Sequence, residues 1–370
     1  MKIAIFSDPH LGYARFEEDS YVQAEKAIIS ASEKADLILC AGDIFDTKIP
    51  KLETLKRAVE IFRKARVPIY AIHGNHERRP KDMVNPAQLL AASTEMKLLH
   101  GESAVFEKDG RKMQVLGIGS VPEEYAAEAI RRTMERFVKE PGAFSVLMIH
   151  QTIKELLPGG EDELSLDYLE TLPFDLIVNG HIHETGVKLS GKFIMPGSTV
   201  ITQLKEDEAK GKGYFLYDTE ARKAEFVEIG SRPFFYEVMR FDGTGVQEIR
   251  EGVLKRISGI KKNHPEAIIS IRIEGASKDG ASCPDINLEG YQGVFIDNRI
   301  SSDGLGAKLA KIRESRETSM SAKELALKEL DGKTAGKITM FDGSELFEKL
   351  VSGADDTLAY LEKQYKKDNK

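Results

Sequence analysis

Five hydrophobic runs in this 370-residue chain stop at residues able to bind a metal ion. KIAIFSDPH ends in Asp8 and His10, LILCAGD in Asp43, and PIYAIHGNH in Asn75 and His76. FSVLMIH ends in His150, and FDLIVNGHIH in His181 and His183. A single Asp at a strand end is most often a turn residue. Five such endings, which use five of the eight histidines, are a pattern. Asp8, His10, Asp43, Asn75, His150, His181 and His183 together offer two carboxylates, one amide oxygen and four imidazoles. That is too many ligands for one ion and the right number for two ions sharing a carboxylate. A nitrogen and oxygen set without thiolate suits manganese, iron or zinc better than magnesium or calcium. Two ions roughly 3.5–4 Å apart form a device for phosphoester hydrolysis, activating water near neutral pH and holding the phosphate for in-line attack. His76, directly after Asn75, is placed to act as a general acid. Gly42, Gly74 and Gly180 each precede one of these positions and let backbone approach closely.

Strands must deliver these side chains. Strand-like runs at Ile3–Phe6, Leu37–Cys40, Ile69–Ile72, Val146–Ile149 and Leu176–Val178 alternate with helical stretches at Ser20–Lys34, Leu52–Ala65 and Glu123–Val138. In the second helix Leu55, Val59 and Phe62 recur at helical spacing. Alternation of this kind predicts a layered α/β domain, with ligands at the carboxyl ends of the strands. After His183 the texture becomes short strands in turns, at Gly186–Leu189, Phe193–Met195, Gly213–Tyr217 and Ala224–Glu228, so the sheet is expected to finish antiparallel. Ser231-Arg232-Pro233 marks a boundary. Beyond it, strands near Phe235–Arg240, Ala267–Ile273 and Gly293–Ile296 and a helix near Val246–Ile257 predict a small α+β domain over 231–300. The remainder, 301–370, is rich in Lys and Glu and reads as helical, with Leu346, Leu350, Leu358, Leu361 and Tyr365 close to one face.

Composition excludes some classes. Hydrophobic content of 41% and charged content of 31% fit an ordinary globular protein. No run is long enough to span a membrane and no signal peptide is visible, so a cytoplasmic protein is expected. Cys40 sits in an apolar strand far from Cys283 and reads as a small core residue. A net charge of -7 is unlike a basic nucleic-acid binder, although bound cations would cancel charge locally.

The series D-x-H, G-D, G-N-H-E, H and G-H-x-H resembles the signature of the calcineurin-like metallophosphoesterases. HLGY at His10–Tyr13, GDIFD at Gly42–Asp46, HGNHERR at His73–Arg79, NGHIH at Asn179–His183, PGST at Pro196–Thr199 and SRPF at Ser231–Phe234 further resemble the SbcD-type DNA double-strand-break repair nucleases. The resemblance implies a sandwich of two central mixed sheets flanked by helices over 1–230, a DNA-binding capping domain over 231–300, and a linker with C-terminal helices over 301–370 that bind a partner. It implies two Mn2+ per subunit: Asp8, His10, Asp43 and His183 around one, and Asp43, Asn75, His150 and His181 around the other. His76 matches the catalytic histidine. The implied activity is 3'-5' double-strand exonuclease and single-strand endonuclease action on DNA ends and hairpins, by a homodimer working with an SbcC-like coiled-coil ATPase. Some relatives carry a functional histidine where this chain has Asp46; a carboxylate there would repel phosphate unless paired or turned away.

Weaker features stay open between two readings. Arg78, Arg79 and Lys81, with Lys48 and Lys51, either contact the DNA backbone or form solvated loops. Tyr13 either lines the cleft or packs on the following loop. His73 is expected to be structural, and His264 an exposed turn residue before Pro265. The terminal leucine stripe packs on the protein's own core or takes a partner helix. Two other functions compete with the nuclease: a small-molecule phosphodiesterase or phosphatase, and an architectural DNA-end-binding subunit.

Overall fold

The computed structural model describes residues 1–80, 82–157, 164–277, 288 and 290–302, with Lys349, Thr357, Leu358, Tyr360 and Leu361 near the C-terminus. In chain order the elements are β1 (Lys2–Phe6), α1 (Glu17–Lys34), β2 (Leu37–Cys40), α2 (Leu52–Phe62), β3 (Ile69–Ala71), α3 (Pro86–Ser93), β4 (Met96–Leu98), β5 (Glu102–Lys108) and β6 (Arg111–Ile118). There follow α4 (Ala126–Met134), β7 (Phe144–Ile149), α5 (Leu166–Thr171), β8 (Leu176–Asn179), β9 (Gly186–Lys188), β10 (Phe193–Met195), β11 (Gly213–Asp218) and β12 (Lys223–Glu228). The last described elements are β13 (Phe234–Thr244), α6 (Val246–Asn263), β14 (Ile268–Ser277) and β15 (Val294–Ser302).

Two six-stranded mixed sheets carry the fold. The first has the order β12-β11-β1-β2-β3-β4, the second β5-β6-β7-β8-β10-β9. β1 to β4 run parallel, and β11 and β12 close that sheet antiparallel. In the second sheet β6, β7, β8 and β10 are parallel, with β5 and β9 antiparallel at the edges. Side chains alternate faces along a strand, and here both faces are covered. Ile3, Ile5, Leu37 and Leu39 pack against Val115, Val146, Met148, Leu176 and Val178 in a core between the sheets. Ala4, Phe6, Ile38 and Cys40 face outward onto Ala24, Ile28, Ala58, Ile61 and Phe62 of α1 and α2. Leu116, Leu147, Ile149 and Ile177 do the same on the other side, against Ala126 and Ile130 of α4 and Leu169 of α5. Strands buried on both faces read as continuous apolar runs, which is why each run stops so sharply at its polar residue.

Several expected bounds shift. The helix foreseen over Glu123–Val138 is a 3-10 turn at Glu123–Tyr125 followed by α4, which stops at Met134. α6 runs on to Asn263 and halts where Pro265 disfavours helical backbone at His264. β14 and β15 extend to Ser277 and Ser302. Cys40 is fully buried and free, and burial pushes its thiol well up. Cys283, Lys81, Leu346, Leu350 and Tyr365 lie outside the described residues. Leu358 is helical and exposed. No helix among the described residues is long and apolar enough to cross a membrane.

The chain divides into two compact units. One comprises Met1–Val238, Lys255–Arg272 and Asn287–Asp297; the other Met239–Leu254, Ile273–Ile286 and Asn298–Lys370. In the first, Ile268 and Phe295 join Phe16, Val200 and Ile201 in a small apolar cluster, and Arg232 pairs with Asp19 at 2.8 Å. In the second, Ile249, Val253 and Ile273 are fully buried, and Arg240 pairs with Glu274 at 3.3 Å.

Candidate metal centre

β1, β2 and β3 in one sheet and β7 and β8 in the other end at the same edge of the first unit. The loops leaving them turn in conformations that cost energy: Asp8, His10, Asp43 and His181 all have positive φ, between 43° and 73°. Non-glycine residues held this way are strained unless their surroundings fix them, and such strain concentrates at functional sites. The surroundings here are hydrogen bonds between loops. The Asp8 N–H donates to Gly42 O and the His10 N–H to Asp43 O, at 3.0 and 3.1 Å. The His181 N–H donates to the Asp8 carboxylate at 3.2–3.3 Å. The His76 N–H donates to Asp43 Oδ1 at 2.9 Å.

All seven side chains singled out as candidate ligands meet. Asp8, His10 and His183 offer ligand atoms within 4.8 Å of one another, and so do Asp43, His150 and His181. Asn75 Oδ1 completes the second group, 2.8 Å from His181 Nδ1 and 3.1 Å from His150 Nε2. Asp43 lies between the groups, its Oδ2 3.3 Å from His150 Nε2 and 3.9 Å from His10 Nε2. Asp8, His10, Asp43 and His150 are all but inaccessible to solvent. His76 is the open side of the site: its side chain is 38% exposed, with Nε2 4.0 Å from Asp43 Oδ2.

The donor set fits divalent cations. Two buried carboxylates face each other's histidines, and among the described residues neither is paired with a lysine or an arginine. Burial would raise the Asp8 and Asp43 carboxyls, yet the rings of His183 and His150 around Asp8, and of His150, His10 and His76 around Asp43, hold both below the usual range. Burial would lower His150, and the same carboxylates push it up to about 9. His181 is pushed down to about 4 by burial and by the charge of His150. His10 Nε2 and His183 Nε2 stand 3.1 Å apart, two ring nitrogens directed at one space. A cation there would satisfy both, and ligand imidazoles must be deprotonated to bind it.

Side chains behind the centre hold it, and the sequence reading passed over most of them. Glu77 is fully buried and its two oxygens accept the N–H groups of Gly74 and Phe45, both at 2.7 Å, so it ties the G-N-H loop to the loop after β2. Burial and the neighbouring Asp43 push its carboxyl up to about 8, against those two donors. Asn179 exchanges two 3.0 Å bonds with the backbone of Gln151, locking the end of β8 to the segment after His150. The Asp46 carboxylate lies 3.4 Å from His10 Nδ1 and 3.8 Å from His76 Nδ1, so it is paired with rings of the centre. Glu77 lies within HGNHERR, directly after His76. Thr152, Glu123, Thr202 and Glu208, which also touch the centre's histidines or their partners, carried no local signal.

The weaker candidates are spread around this edge. Arg78 lines a cavity of about 570 Å3 together with Asn75, His150, His181, Glu123 and Thr152. The Arg79 guanidinium donates to Val84 O at 3.0 Å, and Lys48 is exposed on its loop. The Tyr13 hydroxyl donates to Thr202 O at 2.8 Å and the ring packs beside Phe16. His73 packs on His100, with ring centroids 4.7 Å apart, and its Nδ1 lies 3.3 Å from the Gly74 carbonyl oxygen.

Comparison with known proteins yields a match over residues 1–185 to the family model described as calcineurin-like phosphoesterase. Curated relatives include "Double-strand break repair protein MRE11" of Encephalitozoon cuniculi, 28% identical over 70% of this chain and 53% of that protein. "DNA double-strand break repair protein Mre11" of Archaeoglobus fulgidus is 23% identical over 85% of this chain and 69% of that one. Its namesake in Methanocaldococcus jannaschii is 26% identical over 62% of this chain and 65% of that protein. The chain thus spans between about half and two thirds of the length of these relatives.

Proposed function

The chain belongs to the calcineurin-like phosphoesterases, and from that membership we propose that it is a manganese-dependent nuclease acting on the ends of broken DNA. The observation that carries this reading is the convergence of Asp8, His10 and His183 with Asp43, Asn75, His150 and His181 at one sheet edge. The names of the Mre11 relatives support the choice of DNA as substrate. Asp43 would bridge two Mn2+ ions, with Asp8, His10 and His183 on one side and Asn75, His150 and His181 on the other. Bound there, the ions would supply Lewis-acid stabilisation of phosphate charge and a water ionised near neutral pH.

The protein's own residues do the rest. His76 Nδ1 lies 2.7 Å from the Asp46 carbonyl oxygen, an acceptor only, so Nδ1 carries a proton and donates. Nε2 is then the nitrogen that takes up or releases a proton, and it lies 4.0 Å from Asp43 Oδ2 on a ring that is 38% exposed. From there it can protonate the leaving oxygen of a phosphodiester or hydrogen-bond a phosphoryl oxygen. Arg78, on the cavity wall beside Asn75, and Lys48 are placed to contact backbone phosphates on either side, which gives affinity without sequence reading. Exonuclease and single-strand endonuclease action are both included in the proposal. So is service of residues 231–300 in DNA binding and of 301–370 in binding a coiled-coil ATPase of the SbcC kind. A homodimer is included as what the family resemblance implies.

The test is manganese-supplemented digestion of double-stranded and hairpin DNA, beside a chromogenic phosphodiester. The wild type is expected to cut DNA. His76→Ala is expected to lose cleavage by 100-fold or more, on the order of a general acid's contribution, while keeping its metals. Asp43→Ala is expected to lose both ions by elemental analysis. Normal turnover by His76→Ala, or a full metal complement in Asp43→Ala, would remove those roles; cleavage of the chromogenic ester alone would favour a small-molecule phosphodiesterase.

A further inference from the structure

Each imidazole of the centre turns one nitrogen inward and the other outward, and the outward partners differ in kind. The outward Nδ1 of His150 lies 2.7 Å from the Ala41 carbonyl, and that of His10 faces Asp46. The two histidines of G-H-I-H instead meet threonine hydroxyls. His183 Nδ1 is 2.6 Å from Thr202 Oγ1, and His181 Nε2 is 3.3 Å from Thr152 Oγ1. A hydroxyl can donate or accept, so by itself it leaves the ring's proton undecided.

The next group decides it. Thr202 Oγ1 is 2.8 Å from Glu208 Oε1, and an ionised carboxylate only accepts. The one hydroxyl proton therefore goes to Glu208, and the hydroxyl lone pair receives Nδ1–H of His183. Glu208 is itself fixed. Its Oε1 also accepts the N–H of Gln203 at 3.2 Å, while Oε2 pairs with the ammonium of Lys212. Both partners of that ion pair are buried, and Lys212 donates onward to Ser198 Oγ at 3.0 Å. On the other side Thr152 Oγ1 donates to Glu123 Oε1 at 2.6 Å and offers its lone pair to His181 Nε2, but Asn75 Oδ1, an acceptor only, stands 2.8 Å from His181 Nδ1, so the hydroxyl alone does not fix that proton. There Glu123 is exposed and no cation fixes it among the described contacts.

We propose that Thr202 and Glu208 are positioning residues whose hydroxyl–carboxylate relay holds the His183 proton on Nδ1 and leaves its Nε2 lone pair free for a metal ion, with Thr152 and Glu123 forming a weaker counterpart behind His181. The proposal rests on the reading of His183 and His181 as metal ligands. Which ring nitrogen binds is set by the hydrogen bond the other one makes, and loss of such a partner typically weakens metal binding about 10- to 100-fold. A neutral histidine in water prefers its proton on Nε2. The relay therefore holds His183 against that preference, whereas His181 needs no such help. The larger effect belongs to Thr202.

The experiment is calorimetric titration of the metal-stripped full chain with Mn2+. Thr202→Val, which exchanges the hydroxyl for a methyl at nearly constant volume, is expected to weaken Mn2+ binding about 10-fold or more. Thr202→Ser should restore it, and Thr152→Val should change it less than Thr202→Val. Two-bond proton–nitrogen spectra of the metal-free wild type at pH 8 should find the His183 proton on Nδ1, a readout independent of any variant's folding. A proton on Nε2, or unaltered Mn2+ affinity in Thr202→Val, overturns the relay and leaves the metal centre standing. If the wild type takes up no Mn2+, the reading of the centre fails and the relay's purpose falls with it.

Discussion

The two ends of the paired sheets use the same unusual backbone in opposite ways. At the carboxyl end of the strands Asp8, His10, Asp43 and His181 hold positive φ while buried or half-buried. At the amino end the positive-φ residues are Asp109 and Gly110 between β5 and β6, Gly142 before β7, Leu189, Ser190 and Gly191 before β10 and Arg222 between β11 and β12, all exposed except the half-buried Leu189 and Gly191. The far end is laced by exposed ion pairs: Lys108 with Asp36, Arg111 with Glu220, and Arg222 with Asp175. At the site end, strain is held by buried hydrogen bonds that leave no room for adjustment. At the far end it is relieved into solvent. A substitution that adds the same atoms should therefore cost very different amounts at the two ends.

Gly42 and Gly110 are the matched pair that tests this. Both have positive φ, 97° and 72°. A Cβ at Gly110 would meet nothing within 4 Å, whereas at Gly42 it would stand 2.5 Å from His150 Nδ1 and 3.0 Å from the Gly74 nitrogen. Gly110→Ala should lose only the backbone term, about 1 kcal/mol. Gly42→Ala should lose that and about 2 kcal/mol or more besides, because a ligand histidine and a loop backbone must move. Urea unfolding of the two variants measures both; equal losses would mean that the site end is as yielding as the far end.

The same contrast explains what the sequence made legible. The runs ending at Asp8, Asp43, Asn75, His150 and His181 stand out because strands buried on both faces are almost wholly apolar until they leave the sheet. The positions before the ligands are readable for the same local reason. What holds the ligands is not local. Thr202 meets His183 from 19 positions further along, Glu208 reaches it only through Thr202, and Glu77 meets Phe45 across 32 residues. Nothing in the spacing of those residues announces the contact. Other omissions had signals that went unused. Asp109-Gly110 between two alternating segments is a hairpin mark for β5 and β6. Asn85-Pro86 with Gln88 is the capping box that starts α3. α3, with eight residues, is too short to declare a helical period. The long stretch foreseen as one helix over Glu123–Val138 broke because its first turn packs no apolar side chain, the residues Glu123–Tyr125 all being exposed.

Acid should separate the two ends next. His73 stands behind the centre without belonging to it. Burial, helped by the charge of His100, pushes its ring down to about 4. Between pH 6.5 and 4 the unfolded chain takes a proton that the folded one refuses, so stability present above pH 6.5 is lost as pH falls through that window. The loss should reach about 2–3 kcal/mol by pH 4. Far-end carboxylates such as Asp36 and Asp175, already held below the usual range, lose their contribution only at lower pH. Glu77, raised by burial, drifts in the opposite sense above pH 4.5, so the His73 part is read as a difference. In the metal-free protein, wild type minus His73→Leu should change by that amount between pH 7 and pH 4. Parallel curves would place the acid sensitivity elsewhere.

The smallest effect belongs to the far end, and its smallness is the point. Arg222 donates to Asp175 at 2.7 Å and lies over the Phe144 ring, 5.7 Å from its centre, yet its side chain is 61% exposed. An exposed pair of this kind is worth about 0–1 kcal/mol and is screened by salt. Asp175 would not be stranded by its loss, because it also accepts the N–H and hydroxyl of Ser145 at 2.9 and 2.8 Å. Arg222→Ala should therefore cost less than about 1 kcal/mol in dilute buffer. Most of that difference should vanish in 1 M NaCl, where the Debye length falls to about 3 Å. A larger, salt-insensitive loss would mean that Arg222 acts through its packing on Phe144, and that the amino end is held by burial after all, as the site end is.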